Sequence, residues 1–205
     1  MNLPNKLTIG RLFAIPIIII ISLIQYFRTI TILDSSGIIF TLEDLLILIV
    51  FILAAFTDFL DGYIARKHNL VTNFGKFMDP LADKLLVLTA MIVLIERGRF
   101  VAFGFSLAFV VTIILAREFM ITGIKLLAVD NNVVIAASNL GKIKTISQML
   151  MIIILLLNGF PFVAISTVVK EVVFLLIISL AGLLTLISGI DYFIKNKELI
   201  LKTDN

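Results

Sequence analysis

Apolar stretches that with their flanks are long enough to cross a bilayer recur along this chain, from about Leu7–Phe27 to Lys170–Ile194, and they limit what it can fold into. A backbone N–H or C=O finds no water in hydrocarbon, so a spanning segment closes its own hydrogen bonds as a helix of ~20 residues. With 205 residues, 60% of them hydrophobic, and a mean hydropathy of +1.16, the chain lies outside the soluble globular range. The expected fold is all-α: a polytopic integral membrane protein with six transmembrane helices and a short N-terminal interfacial helix, forming a single membrane domain over residues 1–205.

The expected spans follow in order. Asn2–Arg11 alternates apolar with polar or basic residues, as an interfacial helix does. A first span covers about Leu7–Phe27 and is kinked at Pro16, and an external loop, Arg28–Asp44, turns at Asp34–Gly37. The second span covers Leu42–Arg66, and the third starts at Asp79-Pro80 and ends near Ile95. After the turn Glu96–Arg99 comes a long helix, Phe100–Val129, then a loop at Asp130–Asn139 and a fifth span ending near Leu157. Asn158–Pro161 turns outside, and the last helix, Lys170–Ile194, ends in a basic tail. No small-residue cleavage site follows Ile24, so the first span is expected to be retained. This assignment leaves Arg28, Arg97, Arg99 and Lys170 on one side, twelve basic residues on the other and Arg117 inside the bilayer. The richer side is then cytoplasmic and holds both termini, in the cell membrane.

One stretch breaks the aliphatic pattern. From Asp58 to Asp83 the chain carries four aspartates, two glycines and an arginine. On a helix, Asp58 and Asp61, three apart, project from one face, and so do Asp79 and Asp83, four apart. The linking residues Lys67–Asn73 are turn-forming and fold one acidic ledge back on the other. Opposite helix directions set both ledges at the same cytoplasmic depth. Facing carboxylates repel unless protonated or bridged by cations. The chain has no Cys and one His, so a metal here has oxygen ligands, which select Mg²⁺, Mn²⁺ or Ca²⁺. Gly62 and Gly75 remove bulk beside the carboxylates, where a large ligand could approach the backbone.

The arrangement Asp58-x2-Asp61-Gly62-x2-Ala65-Arg66-x8-Gly75-x3-Asp79-x3-Asp83 resembles the signature of the CDP-alcohol phosphotransferase family, integral membrane enzymes that move a phosphatidyl or similar group from a CDP-linked donor to an alcohol. The resemblance implies two ions, Mg²⁺ or Mn²⁺, held by Asp58, Asp61, Asp79 and Asp83. It implies a CDP-donor site at Gly62, Ala65, Arg66 and Gly75, and Asp83 as the base that accepts the proton of the attacking hydroxyl. Further stretches, Asn2–Thr8 with Arg11, Asp79–Leu85, Ala116–Phe119 with Thr122-Gly123, and Gly141–Thr145, resemble the bacterial members that join CDP-diacylglycerol to sn-glycerol 3-phosphate, giving phosphatidylglycerol phosphate and CMP. The resemblance also implies a homodimer in contact with membrane lipid; nucleic acid is not an expected partner.

Outside the acidic stretch, Arg117 and Glu118 fall in the fourth span with Lys125 two turns after Arg117. They make either an ion pair that locks helices or, through the planar guanidinium, a phosphate ligand. Lys142 and Lys144 are either cytoplasmic anchors or, with Gln148 one turn on, part of a polar stripe. Two residues apart on a regular helix, the two lysines diverge, and both reach one ligand only if the helix start at Gly141 is irregular or their stems bend. Their charge and that of Arg117 is surplus to a metal site, which makes the acceptor's phosphate the expected counterpart. Asp191 and Lys195 are expected to form an i,i+4 pair. Two other readings stand beside this one: another acceptor (serine, inositol phosphate or phosphatidylglycerol), and a divalent-cation transporter, which needs polar groups deeper in the membrane.

Overall fold

The computed structural model describes residues 3–35, 38–68, 73–130, 138–160 and 166–197. In chain order the elements are α1 (Leu3–Leu23), α2 (Gln25–Thr29), β1 (Thr31–Ser35), β2 (Ile38–Thr41), α3 (Leu42–His68), α4 (Asn73–Glu96), β3 (Val101–Ala102), β4 (Phe105–Ser106), α5 (Phe109–Asp130), α6 (Asn139–Leu157) and α7 (Thr167–Lys195). The protein is mainly helical, and α1 over Asn5–Leu23, α6 and α7 are long and apolar enough to cross a membrane. The chain divides into two compact units, Met1–Arg99 with Ile152–Lys170, and Phe100–Met151 with Glu171–Asn205.

In the first unit α1 lies along both α3 and α4, which meet less closely among the described residues. Asn5, Thr8, Arg11, Ala14, Ile18 and Ile21 are buried every three or four positions and so form one stripe, with Ser22 buried beside Ile21. That stripe is polar in its first half and apolar in its second. Phe13, Ile17, Ile20 and Leu23 on other faces are exposed, as side chains facing lipid would be. The segment from Leu3 to Arg11 is therefore the start of α1, not a separate interfacial helix. Pro4 is tolerated there because an N–H in the first turn has no helical acceptor. On α4 the buried row is Ala82, Leu86, Ala90 and Leu94. This helix begins at Asn73, not at Asp79-Pro80, and Pro80 lies inside it. The proline removes one N–H from the ladder without ending the helix.

The loop expected at Arg28–Asp44 is instead built from α2 and a hairpin that pairs Thr31 with Thr41 and Ser35 with Ile38; Ser36 and Gly37 of its expected turn lie outside the described residues. Thr41 then caps α3. Its N–H and hydroxyl donate to Asp44 Oδ2 at 3.1 and 2.9 Å, and the Asp44 N–H donates to Thr41 Oγ1 at 3.3 Å, a reciprocal capping box. Asp44 and Glu43, 1% and 0% exposed, also anchor three arginines. Arg28 Nε lies 2.9 Å from Glu43 Oε2, Arg97 Nη1 2.5 Å from Glu43 Oε2, and Arg97 Nη2 and Arg99 Nη2 3.3 and 3.0 Å from Asp44 Oδ2. Burial pulls the Arg99 guanidinium below its usual value, and the Asp44 charge opposes that. On the far side of β2, Asn158 Nδ2 donates to Ile39 O at 2.7 Å and the Phe160 ring stacks on Phe40 at 4.8 Å. Gly159 has φ +99°, and a Cβ there would stand 2.9 Å from Ile38 Cδ1. Both the dihedral and the space require glycine.

In the second unit the expected helix Phe100–Val129 is shorter, because Val101–Ser106 forms a hairpin. Phe103 and Gly104 both have positive φ, 51° and 78°, which is the geometry of a two-residue type I′ turn. Helix α5 starts only at Phe109. Its contact with α7 uses small residues: a Cβ at Gly182 would stand 3.0 Å from Val110 Cγ1, and one at Gly189 3.0 Å from Arg117 Cγ. Such close approach is how helices associate where lipid supplies no hydrophobic drive. The loop expected at Asp130–Asn139 falls largely on residues 131–137, outside the described residues.

Candidate functional site

The acidic signature lies on two helices. Asp58, Asp61, Gly62, Ala65 and Arg66 occupy the second half of α3, and Gly75, Asp79 and Asp83 the first half of α4. Because both stretches are helical, the i,i+3 and i,i+4 relations hold and each aspartate pair shares a helical face. The side chains of Asp58, Asp61, Ala65 and Arg66, and the surroundings of Gly62 and Gly75, lie outside the described residues, as do residues 69–72 of the connection. Asp79 and Asp83 are described, and both are partly exposed. Asp79 Oδ1 accepts a hydrogen bond from Thr8 Oγ1 of α1 at 2.5 Å. An all-carboxylate donor set with a hydroxyl supporting one of its members suits a hard divalent cation.

Thr8 is a residue that the acidic spacing by itself does not point to. The signal was nevertheless present: Asn5, Thr8 and Arg11 stand three apart, immediately ahead of Ala14 and Ile18 on the same stripe. Three buried polar residues on one face of a largely apolar helix need polar partners.

The second unit gathers the other candidate cations. Arg117 Nη1 donates to Glu118 Oε1 at 2.9 Å and Nη2 to Ser188 Oγ at 2.8 Å, while Lys144 Nζ binds the same Glu118 oxygen. Among the described contacts, two cations thus share one carboxylate oxygen. Lys125 is exposed, and Glu118 pairs with Lys144 in its place among the described contacts. Helix α6 starts regularly: the Gly141 N–H donates to Ser138 Oγ at 3.0 Å, an N-cap, and the Gly141 backbone is not distorted out of the helix. The two lysines accordingly diverge, Lys144 buried and Lys142 exposed. Gln148 Nε2 donates to Thr185 Oγ1 at 3.0 Å, extending the polar stripe onto α7. Helix α7, expected above as the last span with a basic tail, also supplies Thr185, Ser188 and Gly189 to this cluster, and the buried Tyr192 hydroxyl has no hydrogen-bond partner among the described residues. The i,i+4 pair is present, Lys195 Nζ lying 2.8 Å from Asp191.

Known proteins match both units. The family model described as CDP-alcohol phosphatidyltransferase matches residues 1–187. A Bacillus subtilis (strain 168) protein named CDP-diacylglycerol–glycerol-3-phosphate 3-phosphatidyltransferase is 43% identical over 205 residues, covering 100% of this chain and 99% of that protein. Proteins of the same name from Rickettsia typhi and Wigglesworthia glossinidia brevipalpis are 38% and 31% identical over 192 and 195 residues, each match covering 94% of this chain and 95% and 93% of the respective relative.

Proposed function

Because this chain belongs to the CDP-alcohol phosphatidyltransferase family, we propose that it transfers the phosphatidyl group of CDP-diacylglycerol to sn-glycerol 3-phosphate, giving phosphatidylglycerol phosphate and CMP. The observation that carries this reading is the full-length similarity to relatives bearing that activity in their names. Helices α1, α3, α4, α5, α6 and α7 serve as six spans of one membrane domain, with both termini and the acidic ledges at the cytoplasmic side of the cell membrane, and the enzyme acts as a homodimer. Such a boundary suits a donor whose acyl chains stay in lipid while its CDP group stays in water.

In this reading Asp58, Asp61, Asp79 and Asp83 hold two Mg²⁺ or Mn²⁺ ions, and Gly62, Ala65 and Gly75 leave room for the CDP group. When bound, the ions supply charge neutralisation of the diphosphate and of departing CMP. Arg66 adds a fixed positive charge beside the diphosphate. The acceptor hydroxyl forms a new P–O bond to the phosphatidyl phosphorus, the P–O bond to CMP breaks, and Asp83 receives the hydroxyl proton. An ordinary Asp, with pKa ~3.9, is a weak base at neutral pH, so positioning carries much of the step. The test is CMP release from CDP-diacylglycerol in purified protein across a panel of alcohols. Release is expected with sn-glycerol 3-phosphate, lost with a chelator and restored by Mg²⁺ or Mn²⁺. Preference for serine, inositol phosphate or phosphatidylglycerol would reassign the acceptor, and nucleotide-independent metal flux in proteoliposomes would favour a transporter.

Arg117, Lys142 and Lys144 hold the acceptor's phosphate, the gathering of Arg117 and Lys144 at Glu118 being the supporting feature. Loss of a hydrogen bond to a charged group costs roughly 1.5–3 kcal/mol. Arg117→Ala should raise KM for sn-glycerol 3-phosphate about ten- to a hundredfold, with little change in donor binding. Lys144→Ala acts in the same direction, and the exposed Lys142 yields the smallest effect. Normal acceptor saturation with a lowered unfolding midpoint would instead make Arg117, Glu118 and Lys144 a structural ion-pair cluster.

A further inference from the structure

We propose that Thr8 is a positioning residue for the metal site: its hydroxyl fixes the orientation of the Asp79 carboxylate, so that α1, not only the two acidic helices, sets the geometry in which the cations are held. The inference rests on the reading of Asp79 as a metal ligand. Thr8 is 1% exposed and its Oγ1 donates to Asp79 Oδ1 across 71 residues of sequence. Four other helical threonines turn their hydroxyls back to their own helix: Thr57 to Ala54 O, Thr122 to Glu118 O, Thr145 to Gly141 O and Thr185 to Ala181 O. Thr8 sends its proton to a carboxylate on another helix.

An aspartate side chain rotates about two torsions, and a donor on one oxygen removes much of that freedom while leaving the second oxygen's direction defined. The hydroxyl also places a positive hydrogen against a carboxylate in a stretch crowded with negative charge, without adding a cation that would compete with a metal. Because α1 lies along both α3 and α4, a contact from α1 is well placed to hold an α4 ligand in register. Partners one shell outside a metal typically account for 10- to 100-fold in metal affinity.

The experiment titrates Mn²⁺ into the purified full-length protein in lipid nanodiscs, reading free Mn²⁺ by electron paramagnetic resonance. Thr8→Val keeps the shape and removes the donor, Thr8→Ala serves if valine does not fold, Thr8→Ser keeps the hydroxyl, and Asp79→Asn is the reference. Thr8→Val should weaken Mn²⁺ binding about 10- to 100-fold and raise the Mg²⁺ concentration for half-maximal turnover, with KM for the acceptor held. Thr8→Ser should remain near the parent. Parent-like Mn²⁺ affinity in both Thr8→Val and Thr8→Ala, or an equal loss in Thr8→Ser, overturns the role of the hydroxyl. Parent-like affinity in Asp79→Asn overturns the assignment of Asp79 itself, a result separable from the first.

Discussion

Replacing Asp58, Asp61, Asp79 or Asp83 by Asn should abolish nearly all CMP release while the protein stays inserted and folded. Asparagine preserves the volume of each side chain and an amide oxygen, but it removes the negative charge that offsets a divalent ion's loss of water. A metal in such a site contributes several kcal/mol of transition-state charge stabilisation. At ~1.4 kcal/mol per factor of ten, turnover should fall on the order of a thousandfold or more. In the proposed site the four substitutions should not add, because two ions would share the four ligands and losing one ligand would disorder both positions. Retention of near-normal, metal-dependent turnover by Asp79→Asn and Asp83→Asn would falsify the assignment. Partial exposure of both residues favours folded variants.

Asp44→Ala should produce the largest loss of stability. Asp44 is 1% exposed, caps α3 with Thr41 and accepts from both Arg97 and Arg99. Alanine removes the cap and leaves the Arg99 guanidinium, whose charge burial already disfavours, without its carboxylate. Breaking a buried pair from one side costs about 3–5 kcal/mol, and losing a cap adds about 1 kcal/mol. Asp44→Asn should fall between, because its amide oxygen can still accept from Thr41. Unfolding followed in detergent micelles checks this: an unchanged midpoint for Asp44→Ala would mean that the network is not part of what holds α2, α3 and α4. Turnover measured below the new midpoint should be affected far less than by the aspartates of the acidic stretch, which separates a fastening role from a chemical one.

The sequence by itself determined the long helices, because apolar runs of bilayer length have few other ways to close their backbone hydrogen bonds. The starts and ends of α3, α6 and α7 lie within a few residues of the expected ones for the same reason. It also determined the residue types and helical spacing of the acidic stretch, since i,i+3 and i,i+4 periodicity is local. The connections were less legible. Ile38–Thr41 reads as external loop until Phe160 and Asn158 are seen to pack on it, and Val101–Ser106 reads as helix until Phe103 and Gly104 take positive φ.

Only the tertiary structure decided which polar groups meet. Spacing cannot tell whether Glu118 takes Lys125 from its own helix or Lys144 from another, because desolvation and packing choose between partners of equal charge; Lys144 is buried and Lys125 exposed. Nor does it reveal that Ser188 of an apolar helix holds Arg117, or that Thr8 holds Asp79. A side chain's periodicity assigns it to a face, while the partner on that face depends on which helix the fold brings against it. Here α1 packs along α3 and α4, and that long-range choice places the Thr8 hydroxyl on a carboxylate 71 residues away.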